Sequence, residues 1–208
     1  MKKRIGLMCL VILITVVPVF AGVNKASVAA TYALSGGKVS LTSGGVTAEV
    51  EGKGTAFGIK AQGTSFFSQK SNVGLSYKLG FQKLLSSKVE GVSQDVDDEP
   101  LTWIFGVGAA YQIPATKDMF VELGAGADYS TQSETTSGVT TAISSFSIAA
   151  HAEINYAFNS NIFLNAGVGL SYSLGGTVKL SSGGSSVSQD YDSSMFTFAP
   201  YVGVTFAY

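Results

Sequence analysis

The last eight residues of the chain, 201–208, limit the possible folds more than any other segment. Successive side chains of an extended strand point to opposite sides, so alternation divides this stretch into two faces. One face carries Val202, Val204, Phe206 and Tyr208, and the other is small or polar apart from Tyr201. A barrel wall between lipid and a lumen requires such a strand. In an exported chain, the segment therefore predicts a membrane-spanning strand.

The beginning of the chain has the pattern of an export signal. Residues 2–4 are basic, residues 5–17 are apolar, and Pro18 precedes a small-residue cleavage site that ends at Ala21. A permanent membrane helix is the alternative, but the apolar run is shorter than the ~20 residues that span a bilayer. We therefore predict a signal peptide over residues 1–21 and a mature barrel domain over residues 22–208.

Removal of this signal changes the composition of the mature chain. The 13 basic residues fall to ten lysines without arginine, against 14 acids, which leaves a net charge of −4. A mildly acidic chain without arginine is a poor nucleic-acid binder, so no nucleic-acid partner is expected. The single cysteine, Cys9, leaves with the signal, so neither a disulfide nor a thiolate metal site is expected. We expect no cofactor.

The rest of the chain divides into amphipathic segments joined by short turns. Seven of them are predicted strands: residues 55–67, 72–85, 101–113, 118–130, 144–158, 161–174 and 195–208. The stretches 86–100, 131–143 and 175–194 are longer and rich in Ser, Thr, Gly and Asp, which indicates loops at the opposite rim. Single-chain bacterial barrels have an even number of strands, and residues 26–34 supply the eighth. The predicted fold is all-β: an eight-stranded antiparallel up-and-down transmembrane barrel.

A similar segment occurs near both ends of the mature chain, as an internal repeat. Residues 32–45 closely match residues 172–184, with one residue inserted. Both stretches follow a strand that runs outward, and both continue into an extended arm, residues 38–42 and 178–182. We predict that the two arms project together as a small exterior sheet. Coincidence between two low-complexity Ser/Gly stretches is the alternative.

Aromatic residues gather at the two ends of the predicted strands. The outward-facing positions carry no charge, and their aromatics form two girdles: Tyr32, Trp103, Tyr129 and Tyr172 at the outer rim, and Tyr111, Tyr156 and Phe158 at the inner rim. Amphipathic rings prefer the headgroup level of a bilayer, whereas a soluble barrel has no reason for two such belts. Pro200 lies within the last strand and removes a backbone donor, which predicts a bulge there.

The inward faces carry the polar residues of the predicted lumen. These residues are Lys60, Gln62, Lys78, Glu122, Asp128, His151, Glu153 and Asn155. The lumen of an eight-stranded barrel is about filled by side chains, and unpaired buried charges are costly. We therefore predict a polar network in which lysines on one wall bridge to carboxylates on the other. Two interpretations stay open: a structural plug, or a narrow path whose charges select ions.

Two further patterns bear on chemistry. His151 is the only histidine, and Ser147 on its face is too distant along an extended strand to form a nucleophile–base pair. We therefore predict that the protein is not an enzyme. The acidic run over residues 95–99 offers oxygen ligands for calcium, but it lacks a recognisable loop motif, and a solvated loop is the preferred interpretation. No metal site is predicted.

The terminal strand resembles the C-terminal sorting signal of bacterial outer-membrane barrels, with Gly203, Phe206 and Tyr208 at the expected positions. The whole mature chain resembles the small eight-stranded outer-membrane barrels, which include the OmpX, OmpW and OmpA membrane-domain types. The resemblance implies an outer-membrane location, a lipid bilayer around the barrel and the barrel-assembly machinery as a partner during biogenesis. We also expect a monomer.

These barrel types differ in their roles. Members resembling OmpX act as surface or structural proteins through projecting loops, and members resembling OmpW are thought to pass small, often hydrophobic, molecules. We expect a largely plugged, polar lumen with surface-exposed loops, a structural or surface-interaction role, and an extracellular ligand bound through the loops. The alternative is a narrow channel for small solutes or hydrophobic molecules.

Overall fold

The computed structural model describes residues 24–43, 45–68, 70–96 and 100–207. The predicted signal peptide, Tyr208 and residues 97–99 of the acidic run lie outside this part of the chain. Within it, the backbone forms ten strands: β1 (Asn24–Ser43), β2 (Val46–Phe66), β3 (Val73–Val89), β4 (Val92–Gln94), β5 (Thr102–Thr116), β6 (Met119–Thr136), β7 (Val139–Ala157), β8 (Ile162–Ser182), β9 (Ser185–Ser193) and β10 (Phe196–Ala207).

Eight of these strands close into an antiparallel ring. The order around the ring is β10–β1–β2–β3–β5–β6–β7–β8, and β8 pairs again with β10. Consecutive strands of the ring are neighbours, and the two ends of the barrel domain meet where β1 pairs with β10. The predicted all-β, eight-stranded up-and-down barrel is confirmed.

Large apolar side chains cover the outside of the ring. Along β5 the exposed residues include Trp103, Phe105, Val107, Tyr111 and Ile113, with Ala109 on the same face, and the alternate positions face inward. The period of two, which puts alternate residues on opposite faces, explains why one face of each strand is apolar. Among the described residues, no helix is long and apolar enough to cross a bilayer.

The strands continue well beyond the ring at one end, where the sequence analysis predicted loops. That prediction was wrong for residues 131–143, for most of 175–194 and for residues 86–94. β6 runs to Thr136 and β7 starts at Val139, β9 follows β8 after two residues, and β3 runs to Val89 before β4 pairs back onto it. β-branched Thr, Val and Ile residues favour extended backbone, and two-residue turns with positive φ join the strands. Ser137 and Gly138 have φ values of 52° and 81°.

These continuations form what we call the collar. It consists of residues 38–43, 46–53, 87–94, 132–136, 139–144 and 175–193. In the collar β9 takes the place of β10, because β9 pairs with β8 on one side and with β1 on the other. The two arms predicted to project together, residues 38–42 and 178–182, therefore lie in one exterior sheet with β9 between them.

The strand β10 crosses Pro200 without a bulge, so that prediction was wrong. Thr31 pairs with Tyr201 and Leu34 pairs with Phe198, so the register against β1 is the same on both sides of the proline. Pro200 itself lies opposite Val168 of β8. The missing N–H removes one donor from the ladder, and the strand tolerates this loss without an inserted residue.

Candidate functional site

The interior of the barrel has two zones with different packing. The half next to the short turns is filled by a cluster that we call the plug: Lys25, Thr64, Phe66, Phe120, Glu122, Glu153, Asn155, Asn165 and Thr205. All nine are buried, and Asn155 is completely inaccessible at 0% exposure. The half next to the collar contains a cavity of about 610 Å³, which we call the cup. None of the nine plug residues lines the cup.

Glu122 is a central acceptor of the plug. Thr64 donates a hydrogen bond from Oγ1 to Glu122 Oε1 at 2.8 Å, and His151 Nε2 lies 3.6 Å from the same oxygen. Glu122 is only 3% exposed. The carboxylate thus has a hydroxyl donor and an imidazole as partners, which offsets part of the free-energy cost of burying it.

Two amide–oxygen pairs complete the polar part of the plug. Asn155 donates from Nδ2 to Glu153 Oε1 at 2.8 Å, and Asn165 donates from Nδ2 to Thr205 Oγ1 at 2.7 Å. The alternation of β7 places His151, Glu153 and Asn155 on one inward face, as the sequence analysis predicted for these three side chains. The Asn165–Thr205 contact connects β8 to β10.

Lys25 belongs to the plug but was missed in the sequence analysis. Its Nζ lies 3.4 Å from the centroid of the Phe120 ring and 5.0 Å from that of Phe66, and it donates to Gln112 Oε1. The predicted first strand started at residue 26, two residues after the start of β1 at Asn24. Extension of its alternation would have found Lys25, since Ser27 and Ala29 face the same way.

The floor of the cup lies at mid-barrel, around Lys60. Its Nζ donates to Gln62 Oε1 at 3.0 Å and lies 3.1 Å from the centroid of the Tyr201 ring. The amide nitrogen of Gln62 lies 3.0 Å from His151 Nε2, and the imidazole packs over Gly124. The floor thus joins the cup to the Glu122 contacts of the plug.

Lys78 and Asp128 form the ion pair of the cup wall. Lys78 Nζ lies 2.5 Å from Asp128 Oδ2, and their side chains are 27% and 14% exposed. The pair crosses above Gly106 of β5, where a Cβ would collide with the Asp128 carboxylate. Lys78 thus reaches a carboxylate two strands away around the ring.

The rest of the cup lining is mixed: small and hydroxylated side chains lie beside apolar ones such as Leu84, Ile104 and Ile143. Its serine and threonine residues include Ser76, Ser130, Ser147, Ser171, Ser173 and Thr197. At the collar end, Tyr191 donates from its hydroxyl to the Ser144 carbonyl at 3.1 Å. Burial raises the pKa of the Tyr191 hydroxyl, so this group stays protonated and donating at neutral pH.

The aromatic residues named in the sequence analysis lie on the exterior in two groups. Near the collar, Phe81 packs on Trp103 and Tyr129 packs on Phe146, with ring centroids 5.9 and 5.1 Å apart. Tyr32 and Tyr172 are exposed on this side of the barrel. Near the short turns the exposed aromatics include Tyr111, Tyr156 and Phe158.

The two described residues of the terminal signal lie on β10. Phe206 is exposed on the outer face and pairs with Ala26 and Ile162, and Gly203 lies between Ala29 and Asn165. The acidic run is described only at Asp95 and Val96. In the described part of the chain, no group of three or more His, Cys, Asp or Glu residues is arranged to hold a metal ion.

A closed ring of eight amphipathic strands with an apolar exterior and a polar interior is the architecture of a transmembrane β-barrel. The chain belongs to the outer membrane protein beta-barrel domain family, whose model matches residues 10–206. It is therefore an outer-membrane β-barrel protein, and the family implies that lipid surrounds its exterior. Short turns face the periplasm in barrels of this kind, and the collar of this chain lies at the end opposite its short turns.

Solved structures of several bacterial proteins have a similar fold. Neisserial surface protein A has a TM-score of 0.56 at 14% identity, with 87% of this chain and 96% of that chain covered. The outer membrane protein OprG from Pseudomonas aeruginosa has a TM-score of 0.57 at 12% identity, with 90% and 97% covered. A major outer membrane protein from Thermus thermophilus has a TM-score of 0.51 at 12% identity, with 89% and 99% covered. No curated protein sequence matches this chain.

Proposed function

We propose that this protein is a sealed, monomeric outer-membrane barrel that presents its collar to the cell exterior for structural or surface-interaction purposes. The observation that carries this proposal is the burial of the plug. Asn155, Glu122, Glu153 and Thr205 are between 0% and 4% exposed, and the rings of Phe66 and Phe120 lie beside them. A section of the barrel that is packed in this way leaves no continuous path for solvated ions.

The collar supports the second half of the proposal. Its hairpins are rich in serine and threonine, and cross-strand hydroxyl pairs hold them: Thr42 with Thr47, and Thr135 with Thr140, both at 2.9 Å. Ordered β-structure outside the membrane offers a fixed surface, and segments positioned by a rigid scaffold are a common basis for recognition. A ligand would therefore meet preformed strands.

We propose no catalytic role. His151, which is the only histidine of the chain, directs Nε2 at Gln62 and Glu122, and it lies at the floor of the cup. Nucleophilic catalysis needs a hydroxyl or thiol in contact with the base. The hydroxyl of Thr64, which belongs to the same group of contacts, donates to Glu122 instead of to the imidazole.

A narrow channel is the second candidate, and the cup favours it. The cup reaches from the collar to Lys60 and Tyr201, so only the plug separates it from the periplasmic end. Lys78 and Asp128 would then act as charged residues along the path. Displacement of the plug would convert the sealed barrel into this alternative.

Planar-bilayer conductance of the refolded mature chain tests the proposal. We expect no discrete channels from wild-type protein that migrates as a folded barrel. The Lys60→Ala and Glu153→Ala variants are measured beside it, with Lys179→Ala on the exposed collar as the matched control. Discrete wild-type channels whose ion selectivity shifts in the two interior variants, but not in the control, would overturn the proposal in favour of the channel.

A further inference from the structure

We propose that the cup binds a small sugar acid, a solute with one carboxylate and several hydroxyls, from the extracellular side. The site adds a ligand class to the proposed surface-interaction role. It rests on that role in one respect, namely that the ligand enters through the collar. A volume of about 610 Å³ lies within the range of pockets that enclose small organic ligands. The cup ends at a built floor of Lys60, Gln62, His151 and Tyr201.

The charges that line the cup favour an anion. Lys53, Lys60 and Lys78 line it together with one carboxylate, that of Asp128. Two of these lysines are paired: Lys53 with Glu51 at 3.0 Å, and Lys78 with Asp128. The positive charge at the floor of the cup is therefore that of Lys60. A positive group in a concave site attracts solutes of the opposite sign.

Lys60 supplies the specific anion partner. Its ammonium contacts a neutral amide, that of Gln62, and the face of the Tyr201 ring, rather than a carboxylate. An ammonium has three donors, and a carboxylate that enters the cup would receive a charge-assisted hydrogen bond from it. Lys60 therefore sets the depth at which the acid group of the ligand binds.

The hydroxyl lining supplies the second part of the recognition. Ser130, Ser147 and Ser171 line the cup from three different strands, β6, β7 and β8, on the collar side of the floor. A serine hydroxyl both donates and accepts, which matches the hydroxyls of a sugar in either direction. A purely apolar ligand would leave these groups without partners. The chemistry thus favours a polyhydroxylated acid over a fatty acid.

Isothermal titration calorimetry in detergent micelles tests this site, with sodium glucuronate as the probe and glucose as its neutral counterpart. We expect saturable binding of glucuronate, weaker binding of glucose, and a decrease in glucuronate affinity as salt is added. The Lys60→Gln variant should lose about tenfold in affinity, because it removes a charge-assisted hydrogen bond. The Lys179→Gln variant on the exposed collar is the matched control and should bind as the wild type does.

A second variant keeps the test decisive if Lys60→Gln fails to fold. Ser171→Phe fills the cup without a change in charge, and it should abolish binding in a barrel that still migrates as folded. Equal binding of glucose and glucuronate, unchanged affinity in Lys60→Gln, or no saturable binding by folded wild type would each overturn the inference. Conductance by the wild type would overturn the sealed barrel and leave this site standing, so the two failures are distinguishable.

Discussion

At the scale of single residues, the plug accommodates two acidic side chains that lie close together. The antiparallel register of β6 and β7 places Glu122 directly opposite Glu153, both facing inward and both almost fully buried. Like charges in directly opposite positions destabilise a sheet. The charges of both carboxylates act on Lys25, and His151 lies 3.6 Å from Glu122. The ammonium of Lys25 thus supplies a counter-charge that helps two neighbouring acids to occupy the lumen.

The first prediction concerns Lys25. We expect Lys25→Met to destabilise the barrel by about 3 kcal/mol, because it leaves two buried carboxylates without this counter-charge. Equilibrium urea unfolding in micelles measures the effect, with Lys179→Met as an exposed control of the same chemical change. The double variant Lys25→Met with Glu153→Gln should recover part of the loss. Equal stability of Lys25→Met and wild type would show that Lys25 is not the counter-charge.

The ion pair of the cup wall should behave differently from the plug. Lys78 and Asp128 are partly exposed, so solvent screens their attraction. We predict that Asp128→Asn lowers the free energy of unfolding by about 1 kcal/mol or less, well below the effect of Lys25→Met. The same urea series measures it, and its loss should shrink at high salt. A loss equal to that of Lys25→Met would contradict the division of the lumen into a plug and a cup.

At the scale of elements, β10 closes the barrel and carries the proposed assembly signal. The side chain of Phe206 lies on the lipid face, beside the last pairs of β10 with β1 and β8. We predict that deletion of residues 206–208 blocks assembly in the outer membrane and leaves export intact. Cell fractionation with heat-modified gel migration measures both steps. An Ala26→Gly variant, which alters the neighbouring strand but retains the signal, is the control. Normal surface levels of the truncated chain would contradict the assignment.

The elements also show where sequence reasoning works and where it does not. The strand β5 was predictable because Trp103, Phe105 and Val107 alternate with smaller residues, two of them glycines, so its two faces differ in hydrophobicity. In residues 131–143 polar side chains dominate both faces, so no hydrophobic period distinguishes a strand from a loop. The Ser137–Gly138 turn was the only local signal of a hairpin there.

For the candidate site, the sequence predicts which side chains face the lumen, but it does not predict which of them contact each other. Alternation placed Lys60, Lys78 and Glu122 inward, because facing depends only on position along one strand. Which side chains touch depends on the register and tilt of several strands, which the sequence of one strand does not contain. Lys78 therefore meets Asp128 two strands away, and Lys60 meets Tyr201.

At the scale of the whole molecule, our proposal assigns stability and recognition to different ends of the barrel. The plug and the lipid-facing wall hold the ring together, whereas the collar extends the same strands beyond the ring as hairpins. Within the collar, the strands differ in how many neighbouring strands they pair with. The ladders of the described residues join the upper part of β6 to β7 alone, because β5 begins only at Thr102, whereas β9 pairs with both β8 and β1.

This difference leads to a prediction for two collar deletions. Removal of residues 134–141, with Ser133 joined to Ala142 by Asn-Gly, should leave the thermal stability of the barrel within a few degrees of wild type, because it removes only pairs of β7 with β6 and with β8 at the tip of the collar. Removal of residues 176–191, with Gly175 joined to Asp192 by Asn-Gly, takes out most of β9, including Tyr191, which pairs with both Gly176 and Leu41. This deletion should lower the melting temperature more. Circular dichroism melts in micelles measure both. Equal melting temperatures for the two deletions would mean that β9 does not brace the collar, and that the arms of β1 and β8 stand independently.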